Sequence, residues 1–247
     1  MRRSILVNPS PLAFSSVSRS HAGRRRALNE DRVLERPEAG LWAVADGMGG
    51  HIGGDEAASR LIRALSAIEH GASGYAWVAD AEREVQQVNS DLIARRSALG
   101  GVIGSTLVAL LVHDSHYACL WAGDSRAYLL RAGQLSAITR DHSLVQQLVD
   151  EGALAPAGRH SHPSAHVITR AVGSDPILTL DRRFASVMPG DVFLLCSDGL
   201  TACVGEDEIA AALGGPDKGR AADWLLATTL GRDAPDNVSF VIISASH

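Results

Sequence analysis

Cysteine is scarce in this chain of 247 residues, and the cysteines that are present do not form pairs. Cys119, Cys196 and Cys203 are an odd number, and no CxxC spacing occurs. A disulfide framework and a cysteine-based zinc site are therefore excluded. Two of the three lie inside apolar, strand-like runs, where a free cysteine behaves as a small hydrophobic residue. We expect a reducing, cytoplasmic compartment.

Long hydrophobic runs and an excess of basic residues are also lacking. No stretch approaches the roughly 20 apolar residues of a membrane-spanning helix. The amino-terminal sequence is interrupted by polar residues and prolines at 8–11, so we expect neither secretion nor a membrane span. The net charge is -5, which argues against nucleic acid as the main partner. Arg24, Arg25 and Arg26 form a local basic cluster that is an exception to this balance.

The remaining composition is ordinary for a globular protein, with 46% hydrophobic and 21% charged residues. A chain of this length can bury a substantial core. No internal repeat, low-complexity tail or domain linker interrupts it. We therefore expect a single domain over residues 1–247.

Hydrophobic periodicity predicts two amphipathic helices, DEAASRLIRALSAIEH at 55–70 and YAWVADAEREVQQVNSDLIARR at 75–96. Strand-like runs begin at Ser105, His116, Arg126, Gln134, Val192 and Asn237. Several of these follow one another without a helix between them, which favours antiparallel pairing. An Ala-Gly pair between RAYLLR and QLSAIT indicates a hairpin. With more helix near 206–230, the predicted class is α+β, two packed antiparallel sheets flanked by helices.

The segment from 141 to 176 has a different character. It begins with a helical pattern, DHSLVQQLVDEG, and continues as a stretch rich in His, Ser, Gly and Pro without periodicity. Long irregular segments of this kind are often functional. We expect a surface loop or lid.

Several acids stand where strand-like runs begin or end, rather than on a helix face. They are Glu30 (beside Asp31), Asp46, Asp124, Asp198 and Asp236. Asp46 ends LWAVAD and precedes Gly47, and Asp-Gly is a common turn dipeptide. From that stretch alone, a turn and a ligand site are equally well supported.

If these strand ends converge, the carboxylates need a cation, because burying several like charges together is costly. The available ligands are oxygens, with no His or Cys pairs at zinc spacing, which favours Mg²⁺ or Mn²⁺. Two such ions could activate a water for phosphate ester cleavage. Arg26 could clamp the phosphate oxygens. The alternative is that these acids are separate turn residues and the arginines a solvated patch.

Eight short motifs decide between these alternatives. They are R-A-L-N-E-D (26–31), V-A-D-G-M-G-G-H (44–51), G-S-T-L (104–107), G-D-S-R-A-Y (123–128), T-R-D-H-S (139–143), V-I-T-R-A-V-G (167–173), S-D-G-L (197–200) and D-N-V-S (236–239). In this order they resemble the metal-dependent PP2C-type (PPM) protein serine/threonine phosphatases, in particular compact bacterial members. The resemblance covers nearly the whole chain.

This resemblance implies a four-layer αββα sandwich with a two-metal centre between the sheets. Carried over by position, Asp46 is similar to the acid that bridges both ions, with the Gly47 carbonyl and Glu30 completing one site. Asp198 and Asp236 look like the ligands of the other, and Asp124 with Asp198 resembles the pair for a third ion. Arg26 matches the phosphate-binding arginine. Residues from about 143 to 176 correspond to a variable flap.

The implied activity is hydrolysis of phosphoserine and phosphothreonine in proteins by a metal-bridged water, reversing Ser/Thr kinase signalling in a bacterium. The implied partners are phosphorylated proteins and a cognate kinase pathway, and we expect a monomer. None of the three cysteines has an arginine six residues later, so a tyrosine-phosphatase nucleophile is excluded. A non-catalytic phosphoprotein-binding module is disfavoured because no ligand is missing. A phosphatase for small esters remains an alternative.

Two positions depart from the family pattern. Met48 stands directly after Asp46-Gly47 where animal-type members have a histidine, and His51 follows three residues later. The flap reads H-P-S-A-H where bacterial relatives more often carry an arginine after His-Pro. The general acid and the role of His51 are therefore left open.

Overall fold

The computed structural model describes residues 12–49, 53–99, 103–159 and 162–247. Its strands are β1 (Ala13–His21), β2 (Arg32–Arg36), β3 (Leu41–Ala45), β4 (Gly47–Met48), β5 (Gly104–Ser105), β6 (Leu107–His113), β7 (His116–Ala122), β8 (Arg126–Arg131), β9 (Gln134–Ala137), β10 (Asp181–Ser186), β11 (Val192–Cys196) and β12 (Val238–Ser246). Its α-helices are α1 (Gly54–Ser66), α2 (Gly74–Leu99), α3 (Leu144–Asp150), α4 (Asp198–Thr201), α5 (Glu206–Gly214) and α6 (Lys218–Gly231).

The strands form two five-stranded antiparallel sheets. One has the order β1-β12-β11-β8-β9 and the other β10-β7-β6-β3-β2, while β4 and β5 pair separately. The expected hairpin joins β8 to β9, with Arg131 opposite Gln134. Ala132 and Gly133 at its tip have φ values of 50° and 79°, the left-handed values that two-residue hairpin turns use.

Apolar residues on both faces of each sheet divide the core into three layers. In β3, Trp42 and Val44 point between the sheets, whereas Leu41, Ala43 and Ala45 contact the helices. The middle layer also contains Phe193, Val241 and Ile243 from the opposite sheet. Because each sheet is covered on both faces, its central strands, such as β3, β6 and β11, are nearly continuous apolar runs rather than alternating ones.

The outer layers are helical. Helices α1 and α2 cover one sheet, and α4, α5 and α6 cover the other. The prediction of an α+β fold with a four-layer αββα arrangement is confirmed, as are the helices predicted at 55–70, 75–96 and near 206–230. In the described part of the chain, no helix combines the length and apolar character needed to cross a bilayer.

The segment after β9 leaves the sandwich and returns to it. Its predicted first helix is α3, and the described residues after it contain one 3-10 turn, Pro156–Gly158. Isolated bridges join Ser143 to Ile168 and Ser105 to Val172. The second bridge joins the end of the segment to β5, and His142 N, near its start, donates to the Gly123 carbonyl between β7 and β8 at 2.9 Å.

Strand pairing places the acidic positions at one end of both sheets. Arg32 of β2 lies opposite Ala45 of β3, so Glu30 and Asp46 are at the same sheet end. Cys196 of β11 lies opposite Arg126 and Phe240, which brings Asp198, Asp124 and Asp236 to the matching end of the other sheet. The antiparallel registers therefore supply the convergence that the local sequence could not show.

Candidate active site

A cleft of about 350 Å³ opens at this end of the sandwich. All seven predicted site residues line it: Arg26, Glu30, Asp46, Gly47, Asp124, Asp198 and Asp236. Met48, His166, Ile168 and Asn237 are among the others. The residues at 50–52, including His51, lie outside the described part of the chain. The structure thus brings together every acid singled out in the sequence.

Asp46 is held through its backbone. Its N–H donates to Thr106 Oγ1 at 3.0 Å, and its carbonyl accepts from Thr106 N at 2.8 Å and from Ser105 Oγ at 3.0 Å. Thr106 Oγ1 is in turn 2.7 Å from Ser125 Oγ. These bonds fix the backbone beside the cleft and leave the carboxyl group available for the site.

The glycines after Asp46 allow the chain to pass close to helix α1. A Cβ on Gly47 would lie 2.2 Å from the carbonyl oxygen of Gly54, where backbone atoms cannot move aside easily. A Cβ on Gly54 would lie 2.7 Å from Glu30 Oε1. Glycine is therefore needed at positions 47 and 54, where the chain packs closely against Glu30 beside the cleft.

Arg26 is the cation of the cleft and pairs with Asp236. Its Nη2 donates to Asp236 Oδ2 at 2.6 Å, and this bond raises the pKa of Arg26. Asp236 Oδ1 accepts from Asn237 N at 2.8 Å. The Arg26 side chain is still 54% exposed, so it is accessible to a ligand.

Burial and mutual repulsion disturb the ionisation of the acids. Burial, then the charges of Asp31, Asp198 and other acids, raises the pKa of Asp46 well above its usual range. Burial is also the first cause that raises the pKa of Asp31 to about 7, of Asp124 to about 8 and of Asp198 to about 6. Acids whose pKa values are raised in this way are stabilised either by protonation or by a bound cation.

Comparison with known proteins agrees with this geometry. A sequence profile described as "Protein phosphatase 2C" matches residues 18–216. The chain belongs to the protein phosphatase 2C family. It is 40% identical over 235 residues to the serine/threonine protein phosphatase PstP of Mycobacterium tuberculosis, covering 94% of this chain and 45% of PstP. It thus spans less than half the length of that curated relative.

Other phosphatase 2C relatives are similar in length to this chain. The serine/threonine phosphatase stp of Listeria welshimeri is 35% identical over 201 residues, covering 77% of this chain and 79% of stp. The structure of PppA, described as a key regulatory component of T6SS in Pseudomonas aeruginosa, matches with a TM-score of 0.88 and 42% identity over 94% of this chain and 98% of PppA. The PstP catalytic domain, crystallised with two manganese ions, matches with a TM-score of 0.86 and 34% identity over 96% of this chain and 100% of that domain.

Two residues with polar side chains that line this phosphatase 2C cleft, Asn237 and His166, were not among the predicted site residues. Asn237 Oδ1 accepts from Glu30 N at 2.8 Å, while its Nδ2 donates to the carbonyls of Ala22 and Leu28 at 3.0 and 2.8 Å. Asn237 therefore fixes the loop that carries Arg26. His166 enters the cleft from the flap. The D-N-V-S motif contained the first of them but gave it no role.

Asp31 is buried behind the cleft. It is 1% exposed, and its Oδ2 accepts from Ser197 Oγ at 2.8 Å. Ser197 Oγ also accepts from Ser239 N at 3.0 Å, which links Asp31 to β12. The sequence placed Asp31 beside Glu30 but did not distinguish its buried position from a surface one.

The donor set fits a hard divalent cation. The Oδ1 atoms of Asp31 and Asp124 are buried without a hydrogen-bond partner, which is costly unless an ion or a proton compensates. As the side chains stand, no three His, Cys, Asp or Glu within the described residues form a ready cation site. Asp236 instead contacts Arg26 and Asn237 N. Each Asp236 oxygen accepts one hydrogen bond in these contacts and keeps a second lone pair that an ion could use.

Without divalent cations, the stability that Asp124 contributes is expected to fall as pH rises from about 5 to about 8. The folded-state pKa of Asp124 is about 8, above the 3.8 of an ordinary aspartate, so the unfolded chain ionises first and gains in relative stability. Urea unfolding of the parent and of Asp124→Asn in chelator measures this, because groups that do not interact with Asp124 titrate alike in the two proteins. The parent should lose stability relative to Asp124→Asn across this range. If the difference in unfolding free energy between the two proteins did not change with pH, the raised pKa of Asp124 would be contradicted.

Proposed function

We propose that this chain is a divalent-cation-dependent protein phosphatase acting on phosphoserine and phosphothreonine. The observation that carries the proposal is the convergence of four aspartates, Glu30 and an accessible Arg26 in one cleft. This combination of hard oxygen ligands and one guanidinium suits a phosphate group together with Mn²⁺ or Mg²⁺. The relatives described as serine/threonine phosphatases, and the PstP domain with two manganese ions, support it.

The residues that would hold two ions are those predicted from the sequence. Asp46, the Gly47 carbonyl and Glu30 would serve one, and Asp46, Asp198 and Asp236 the other. Asp124 with Asp198 would serve a third. Bound there, the cations would supply an activated water and neutralise charge on the phosphate.

The chain's own contribution is to position and select the phosphate. Within the described residues, Asp236 is the hydrogen-bond partner of the Arg26 guanidinium, which leaves further N–H groups for phosphate oxygens. A planar guanidinium can bind two such oxygens at once. Asn237 fixes the loop that carries Arg26, so the phosphate-binding group is placed before a substrate arrives.

The proposal includes the arrangement around the cleft. Residues 1–247 would form one catalytic domain, supported by the shared apolar layer between the two sheets. Residues 143–176 would form a flap that influences substrate choice, since His166 and Ile168 reach the cleft from it. In the cell, such a monomeric, cytoplasmic phosphatase would oppose a bacterial Ser/Thr kinase.

Phosphate release from a phosphothreonine peptide is expected to require Mn²⁺ or Mg²⁺ and to stop in chelator. Arg26→Ala should lower kcat/KM on the peptide by roughly 10- to 100-fold, because a charge-assisted bond to phosphate is lost. Malachite green detection of released phosphate measures both effects. Arg25→Ala is the matched control, since Arg25 pairs with Asp233 and does not line the cleft.

Two outcomes would overturn this function. Undiminished phosphate release in chelator would remove the metal role. A much higher kcat/KM for p-nitrophenyl phosphate than for phosphopeptides would instead favour the small-ester phosphatase.

A further inference from the structure

A second cavity, of about 700 Å³, is unusually rich in arginine. Five arginines line it: Arg126, Arg140, Arg159, Arg182 and Arg183. We call it the arginine groove. Its acidic lining residues are Asp141, Asp181 and Glu206. Since the whole chain has a net charge of -5, this cationic lining is a local feature.

The arginine groove continues into the cleft. A smaller cavity of about 260 Å³ lies between them. It shares Asp124, Asp198 and His166 with the cleft, and Arg126, Asp141 and Arg159 with the arginine groove. An extended peptide whose phosphate lies at Arg26 can therefore reach the groove along a continuous surface.

Three of the five guanidiniums are already paired. Arg126 Nη2 is 2.6 Å from Asp141 Oδ2, and Arg182 Nη1 is 3.2 Å from Glu82 Oε1. Arg140 Nε donates to Asp150 Oδ2 at 2.9 Å. The acids of the groove have partners of their own, because Asp181 also bonds to Arg170 at 2.5 Å and Glu206 accepts from Tyr128.

Arg159 and Arg183 are the uncompensated pair. Within the described residues, neither has a carboxylate within salt-bridge distance, and the buried Nε of Arg159 has no acceptor. The Arg140 hydrogen bond is the main reason that the pKa of Asp150 is lowered, and the charge of Arg159 makes a smaller contribution. Two unpaired guanidiniums in a groove that continues into the cleft are suited to an anionic group that arrives with the substrate.

We propose that Arg159 and Arg183 bind a second anionic side chain of the phosphoprotein, either another phosphorylated residue or a carboxylate. This inference rests on the proposed phosphatase function and names its preferred substrate class. Phosphate should be favoured over carboxylate, because it carries more charge and offers more acceptor oxygens. Substrates phosphorylated at two nearby positions would then be dephosphorylated most efficiently.

The test compares three phosphothreonine peptides that differ at a second position, which is Ser, Glu or phosphoserine. Sets with that position on either side of the phosphothreonine, two to five residues away, allow for either direction of binding. In the parent, KM for phosphothreonine hydrolysis should be about tenfold lower with phosphoserine than with Ser, and intermediate with Glu. Arg159→Ala/Arg183→Ala should remove this difference while leaving hydrolysis of p-nitrophenyl phosphate unchanged.

Arg63→Ala is the control, because Arg63 is exposed on α1 and lines neither the cleft nor the arginine groove. Equal KM values for the three peptides in the parent would overturn the proposal. So would an equal loss on all three peptides in the double variant, because that result would indicate a general structural role.

A binding measurement keeps this test separate from the proposed function. Fluorescence anisotropy of the same labelled peptides, in chelator, reports affinity whether or not the chain hydrolyses them. The parent should bind the phosphoserine peptide most tightly, then the Glu peptide, then the Ser peptide, and the double variant should show no such order. This result would support anion binding in the arginine groove even if no phosphate is released. Equal affinities of the parent for the three peptides would overturn the proposal even if the chain is an active phosphatase.

Discussion

Replacement of Asp46 by asparagine is expected to lower kcat/KM for a phosphothreonine peptide by about 10³-fold or more. The amide keeps the size of the side chain and leaves the backbone bonds to Thr106 and Ser105 intact. It removes the one carboxyl that the proposed function assigns to both ions. Steady-state phosphate release with Mn²⁺ measures the loss, and Asp198→Asn should produce a similar one.

The same replacement should not destabilise the metal-free protein. The carboxyl of Asp46 is partly buried among like charges, which is why its pKa is raised, so an uncharged amide relieves an unfavourable interaction. The melting temperature of Asp46→Asn in chelator should therefore equal or exceed that of the parent. Activity and stability moving in opposite directions would identify a functional group rather than a structural one.

Asp114→Asn is a suitable control for the chemical change. Asp114 is 86% exposed and has a φ of 53°, a left-handed value that asparagine tolerates well. It should leave both rate and melting temperature unchanged. Retention of more than about a tenth of the activity by Asp46→Asn would contradict a central role for this carboxyl.

The layered fold was predictable because its central strands are buried on both faces. Runs such as VFLLC in β11 have no exposed side, and consecutive strands without intervening helices left antiparallel pairing as the simple solution. Asp46, by contrast, could not be separated from a turn residue by its own stretch. The eight ordered motifs supplied the site, and the strand registers supply the physical reason for it.

The supporting contacts of the site were not predictable, because they join distant parts of the chain. Asn237 and Glu30 are 207 residues apart, and Asp31 and Ser197 are 166 apart. No local pattern distinguishes a buried acid that accepts one hydroxyl from an exposed acid at a strand start. The unpaired state of Arg159 likewise depends on which carboxylates the fold brings near it.

Replacement of Asn237 by aspartate is expected to disrupt the fold around the cleft more than Asp46→Asn does. The new carboxylate oxygen would face the carbonyls of Ala22 and Leu28, where the amide now donates two hydrogen bonds. Asn237 is 5% exposed, so the repulsion would be poorly screened. We expect a loss of about 2–5 kcal/mol in the free energy of unfolding, measured in urea.

Catalysis should fall as well, because the loop from Ala22 to Glu30 carries Arg26, the residue proposed to bind the phosphate. A misplacement of about 1 Å can cost roughly 100-fold in rate, and kcat/KM for the phosphothreonine peptide should fall by about that factor. Asn89→Asp provides the matched control, since Asn89 is also buried and bonds Gly173 N and the Asp175 carbonyl away from the cleft. It should lose stability but keep kcat/KM within a few-fold of the parent. A loss of stability in Asn237→Asp without a loss of activity would contradict this role. It would show that the loop does not need the Asn237 amide to position Arg26.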